Sequence, residues 1–84
     1  MRTEIPFGYY TTDEYGRYHS YNDEPAVVVE THMEENESQE LIECQGYKAW
    51  YKDGQIHRDN DLPAVIHDSG KKFWYNNGNF IREE

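Results

Sequence analysis

The chain has 84 residues, 36% apolar and 15% aromatic, so it makes one small domain whose core is built from a few large rings. Seventeen acids against eight bases give a formal charge of −9, which repels phosphate backbones and anionic membranes and counts against direct nucleic-acid binding. Cys44 is the single cysteine, which excludes an intramolecular disulfide and sets the expectation that no cysteine-based zinc site is assembled.

A lone thiol suits a reducing compartment, and no apolar run approaches the ~18 residues of a membrane span. With no charged leader ahead of an apolar stretch either, the expectation is a cytoplasmic protein. The surplus of acid has two readings: it favours a basic partner, or it only keeps the chain soluble.

Met1 to Phe7 is a short entry segment in which Pro6 discourages regular pairing before the first strand. A thirteen-residue pattern then begins at Gly16: Gly16-Arg17-Tyr18-His19-Ser20-Tyr21-Asn22-Asp23-Glu24-Pro25-Ala26-Val27-Val28. It returns without a gap, 38 residues on, from Gly54 to Ile66, keeping Gly, His, Asn, Asp, Pro, Ala and Val at the same offsets. A third start follows at Trp74-Tyr75-Asn76-Asn77-Gly78, where the Trp-Tyr pair, the Gly and the closing Arg repeat Trp50, Tyr51, Gly54 and Arg58 at a spacing of 24. A fixed period of this size marks a repeat architecture, in which each unit buries its apolar face against its neighbours.

The turns account for the glycines. Asp53-Gly54 and Asn77-Gly78 are favoured central pairs of tight hairpins whose residues take positive φ. Two-residue loops set Lys52 opposite Gln55, Tyr51 opposite Ile56 and Trp50 opposite His57. They also set Asn76 opposite Asn79, Tyr75 opposite Phe80 and Trp74 opposite Ile81, with Trp and Tyr positions on opposite faces. In the first unit a four-residue loop, Asp13 to Gly16, places Tyr10 opposite His19 and in the role of Trp50. Asp68-Ser69-Gly70 joins the last two units, and Pro25 and Pro63 open strands after Asn-Asp turns.

The predicted fold is all-β: an antiparallel β-hairpin repeat meander of about eight short strands in a twisted sheet. It divides into a weak repeat over 9–30, an acidic insert over about 31–47, a repeat over 48–68 and a partial repeat over 71–82. The insert lengthens one period by 14 residues, and its stretch Glu30 to Glu43 carries six Glu and no Lys or Arg. It reads as a long hairpin with its tip at Glu34–Ser38, or as a short helix over Glu34–Cys44. The β-branched run entering it favours the hairpin.

Trp-Tyr-x-x-Gly-x-x-His-Arg followed by Asn-Asp-x-Pro-Ala-Val resembles the variant MORN-like repeats. These stand in tandem in proteins of large DNA viruses and phages and in bacterial antitoxin-like proteins. The resemblance runs from about Tyr9 to Arg82 outside the insert, with Ser20 in place of Arg and Ile81 in place of His. It implies a β-hairpin scaffold used for association, with no shared catalytic residues, and a small viral or bacterial inhibitor.

His19 and His57 share one repeat position, which marks them as structural, satisfying loop carbonyls. Asp59-Asn60-Asp61 lacks the Gly and distal Glu of a calcium loop, so Asx side chains closing a turn explain it. With no closely spaced ligand set, the expectation is no metal and no cofactor. With no nucleophile–base pair or phosphate-cradling loop, it is also no enzyme. What remains is a protein-binding module. Glu34, Glu35, Glu37, Glu40 and Glu43 would meet a basic surface on a partner protein, with Tyr9, Tyr15, Tyr18 and Tyr21 as aromatic anchors. Self-assembly through sheet edges and RNA binding through exposed rings are the alternatives.

Overall fold

A computed structural model describes all residues from Met1 to Glu84. The fold is all-β, with eleven short strands and no helix. Seven of them form one open antiparallel sheet, and two further pairs stand as separate ribbons. The strands are β1 (Arg2–Ile5), β2 (Gly8–Thr11), β3 (Val27–Val29), β4 (His32–Glu35), β5 (Leu41–Cys44), β6 (Tyr47–Ala49), β7 (Tyr51–Lys52), β8 (Gln55–Ile56), β9 (Val65–His67), β10 (Lys72–Asn76) and β11 (Asn79–Glu83). The sheet runs β1-β2-β3-β6-β9-β10-β11, a meander whose order follows the chain.

Three local expectations are corrected. The entry segment pairs after all: β1 lies antiparallel on β2 from Arg2↔Thr11 to Ile5↔Gly8. Pro6 sits in the turn and so removes no ladder donor, while Phe7 takes the positive φ, 64°, that the turn's second position needs. In the last hairpin a bulge after Trp74 sets it opposite Arg82, leaving Ile81 unpaired. In the first unit Thr12 bridges Tyr18 and the His19 amide donates to Thr11, so Tyr10 does not face His19. Thr11 stands where Trp50 stands later: its amide donates to Ala26 at 2.7 Å, as that of Trp50 donates to Ala64 at 2.8 Å.

Elsewhere the expected pairs are found, Tyr51↔Ile56 and Lys52↔Gln55 in one hairpin and Tyr75↔Phe80 and Asn76↔Asn79 in the other. Asp53-Gly54 and Asn77-Gly78 take φ of 51°, 85°, 48° and 85°, the double positive turn that Gly adopts freely. The insert is a hairpin and no helix. β3 pairs β6 from Val27↔Ala49 to Val29↔Tyr47, and β4 pairs β5 from His32↔Cys44 to Glu35↔Leu41, in one continuous register broken at Glu30–Thr31.

The core is thin. Ala26, Ala49 and Ala64 are at most 2% exposed, and Trp50 and Trp74 are the only large rings below 9%. Each Trp closes a junction between successive repeats. Trp50 Nε1 donates to the Asp23 carbonyl and Trp74 Nε1 to the Asp61 carbonyl, both at 2.9 Å. An arginine caps each ring, Arg58 at 3.8 Å from Trp50 and Arg82 at 4.2 Å from Trp74. The same arginines bind the Asp23 and Asp61 carboxylates. The Asx side chains of these turns therefore reach across to the next repeat; the turns themselves close through positive φ at Asn22, Asp23, Asn60 and Asp61.

The histidines complete the junction. The Asp53 amide donates to His19 Nδ1 at 3.1 Å, and the Asn77 amide donates to His57 Nδ1 at 3.0 Å. The expected partner is a loop carbonyl; the observed one is a turn N–H, which assigns the ring proton to Nε2. Nε2 of His57 accordingly faces Asp59 at 2.7 Å, and the imidazole beside it holds that carboxyl below the usual carboxylate range.

Candidate functional site

β4 and β5 form a ribbon that leaves the sheet at one end. Its tip is Asn36–Glu40, slightly beyond the expected Glu34–Ser38, because the Asn36 side chain accepts from the amides of Ser38 and Glu40 at 2.9 and 3.0 Å. Gln39 takes φ of 62° to close it. The base is clipped to the sheet: Thr31 Oγ1 donates to Asp68 and accepts from the Gly46 amide. Gly46 permits this approach, since a Cβ there would lie 2.3 Å from the Val29 carbonyl oxygen.

Alternation in the ribbon sorts the expected glutamates. Met33, Glu35, Leu41 and Glu43 share one face; His32, Glu34, Ile42 and Cys44 share the other. Glu35 and Glu43 are exposed beside Met33 and Leu41, which are 53% and 66% exposed, and Glu37 and Glu40 are exposed in the tip. Glu34 is engaged within its own face, with Oε1 2.8 Å from His32 Nε2. Hydrogen bonding to His32, then to Cys44, lowers the Glu34 pKa. The Glu30 carbonyl, then Glu34, raises that of His32. Burial, then Glu34, pushes the Cys44 thiol up, so it carries no activated nucleophile.

The tyrosines lie elsewhere. Register carries β2 from Gly8, beside the ribbon's base, to Thr11 at the far end, where the first repeat's hairpin begins. At that end Tyr15 is 75% exposed with Arg17 over its ring, Tyr18 packs edge-on against Tyr51, and Tyr21 rests on His19. Tyr9 is within the sheet under the Arg2 guanidinium. The structure thus gathers Glu35, Glu37, Glu40 and Glu43 onto one ribbon and sets Tyr15, Tyr18 and Tyr21 apart from it.

A shallow cavity of about 280 Å³ opens over the Trp50 junction, lined by His19, Asp23, Trp50, His57, Arg58 and Asp59 among others. Within it Arg58 is committed to Asp23 and His57 to Asp59. No helix is long and apolar enough to cross a membrane.

What sequence reasoning missed is the ribbon's inner face and its Phe7 neighbour. His32 and Cys44 are twelve positions apart, and only the exact register makes them partners. The signal was Asn36, whose turn chemistry fixes that register.

Comparison of the chain with protein-family models, with curated proteins and with solved structures finds no match.

Proposed function

We propose that this chain is a non-enzymatic protein-binding module, a small inhibitor of viral, phage or bacterial origin, built on a variant MORN-like repeat scaffold. Its β4–β5 ribbon would occlude a basic surface on a target protein such as a defence factor or a toxin. The supporting observation is the outer face of the ribbon, where Met33 and Leu41 stand in solvent beside Glu35 and Glu43, next to an exposed tip that carries Glu37 and Glu40. Apolar side chains with an acidic rim suit an interface in which burial supplies affinity and charge supplies rate and orientation.

Capture from extracts of the natural host, followed by association kinetics with the captured protein, tests this reading. Glu35→Lys, Glu37→Lys and Glu40→Lys together should slow association by about tenfold or more, and added salt should erase the difference. Leu41→Asp should accelerate dissociation. An association indifferent to both salt and the ribbon overturns the proposal.

The open edges favour a second reading. β1 and β11 both end the seven-stranded sheet, and β11 shows Phe80 and Ile81 at 58% and 54% exposure. Pairing of those edges would assemble copies of the chain. Light scattering on the eluting peak separates the readings: a monomer at all concentrations excludes self-assembly.

A further inference from the structure

The inner face of the ribbon holds three side chains of metal-ligating type. Their ligand atoms, His32 Nε2, a Glu34 carboxylate oxygen and Cys44 Sγ, all lie within 4.8 Å of one another. Tetrahedral coordination with bonds of about 2.0–2.3 Å sets ligand atoms about 3.4–3.7 Å apart, so small rotations suffice to gather them on one ion. His32 and Cys44 face each other across the strands, and Glu34 is the next residue on that face.

The histidine is already oriented as a ligand. His32 Nδ1–H donates to the Glu30 carbonyl at 2.8 Å, which leaves Nε2 as the atom turned toward Glu34 and Cys44. Metal-bound histidines are commonly fixed in this way, with the distal ring nitrogen donating to a carbonyl. Phe7 covers the ring face, its plane within 2° of the imidazole at 4.0 Å, so the side chain is only 11% exposed.

A second cluster, Asp13, His19 and Asp53, shows what a poor site looks like. Asp13 accepts from the amides of Tyr15 and Arg17 and from the Arg17 guanidinium, and His19 Nδ1 accepts from the Asp53 amide. A metal there would have to break the turn and the repeat junction. At His32 an ion would displace only the hydrogen bonds that the ligands make to one another.

We propose that His32, Glu34 and Cys44 form a divalent-metal site selective for zinc, with a fourth position left open. One sulfur, one imidazole and one carboxylate make a borderline donor set, which suits zinc over calcium or magnesium. Binding converts the Cys44 thiol to a thiolate ligand, its proton passing to solvent along with any proton on His32 Nε2. Bound metal would cross-link the two strands of the ribbon below its tip, stiffening the surface that carries Met33 and Leu41. The open position would accept water or a side chain from a partner.

Chelator-stripped protein is titrated with zinc against a chromophoric competitor, and with cobalt(II) while thiolate-to-metal charge-transfer absorption is followed. One ion per chain is expected, with a charge-transfer band that vanishes in Cys44→Ser. Affinity should fall by about tenfold or more in His32→Gln and in Glu34→Gln, and stay unchanged in Asp13→Asn. Near-ultraviolet circular dichroism from Trp50 and Trp74 reports whether each variant keeps its fold. In the unaltered chain, zinc should also protect Cys44 from alkylation. Cobalt bound without a charge-transfer band, zinc affinity indifferent to Cys44→Ser, or a thiol that zinc leaves unprotected each overturns the assignment. None of these readouts involves a protein partner, so this site and the proposed interface stand or fall separately.

Discussion

The sheet body and the acidic ribbon are both antiparallel β-structure on one chain, yet they are held by different means. In the body every important contact occurs twice: Trp50 with Arg58 and Asp23, then Trp74 with Arg82 and Asp61. In the ribbon each contact occurs once, and its outer face meets only solvent. Repetition distributes stability over junctions that support one another, whereas the ribbon is clipped to the sheet at its base and is otherwise held chiefly by contacts within itself. Substitutions in the two regions should therefore separate cleanly.

The largest effect is expected at Trp50. It is 5% exposed and closes the central junction, so Trp50→Ala should cost about 3–5 kcal/mol, read from the denaturant midpoint. A loss under about 1 kcal/mol would mean that the ring is dispensable and the repeat junction is not the core. Gly46→Ala comes next, at the seam between body and ribbon. The new methyl would meet the Val29 carbonyl oxygen at 2.3 Å and the Thr31 amide nitrogen at 2.5 Å, and relief requires moving the backbone of both strands. About 3 kcal/mol is expected, with faster amide exchange at Thr31 and His32 as the local signature.

The two junctions can also be set against each other. Arg58 holds Asp23 through two nitrogens and donates to the Pro63 carbonyl at 3.1 Å, with only 14% of its side chain exposed. Arg82 reaches Asp61 through one nitrogen, shares itself with Glu84, and is 40% exposed. Arg58→Met should cost about 1–2 kcal/mol, since it removes a ring cap and a forked ion pair together. Arg82→Met should cost less, because solvent already screens its partners. Equal losses would show that the terminal junction is as well formed as the central one.

Acid tests the same pair of junctions more gently. Arg58, by hydrogen bond and charge, holds the Asp23 carboxyl below its ordinary 3.8, and His57 does the same to Asp59. The unfolded chain then binds these protons first, so the stabilisation is whole above the ordinary value and drains away as pH falls through the depressed folded values. Thermal midpoints should decline below about pH 4, and Asp23→Asn should flatten part of that decline. An unchanged slope would place the acid lability elsewhere.

How much of this was legible depended on repetition. The Gly54 and Gly78 hairpins, the Trp and Tyr faces and the meander all followed from residues that recur at fixed offsets. The errors fell where one unit departs from the rest. Thr11 replaced Tyr10 because the first loop is a residue longer, and the bulge at Trp74 moved Arg82 into the place of Ile81. Pairing of Arg2–Ile5 needed Phe7 at positive φ, a conformation that its side chain does not advertise. In the ribbon the acids were plain, but alternation turned Glu34 away from Glu35 and Glu43, and no periodic signal could bring Cys44 to His32.

The smallest effect belongs to the ribbon's outer face, and it distinguishes the two regions most directly. Leu41 is 66% exposed and Met33 53%, so each keeps most of its surface in solvent and contributes little burial to the isolated chain. Leu41→Ala and Met33→Ala should each change the unfolding free energy by no more than about 0.5 kcal/mol. The change should remain as small when the denaturant midpoint is measured in the Trp50→Ala background, since sites without shared contacts add. A larger loss would mean that the ribbon folds back onto the sheet and its apolar side chains serve the core. An unmoved midpoint leaves two large apolar groups that the fold does not use, on the one segment that interrupts the repeat, and the economical account of their placement is a surface that a partner covers.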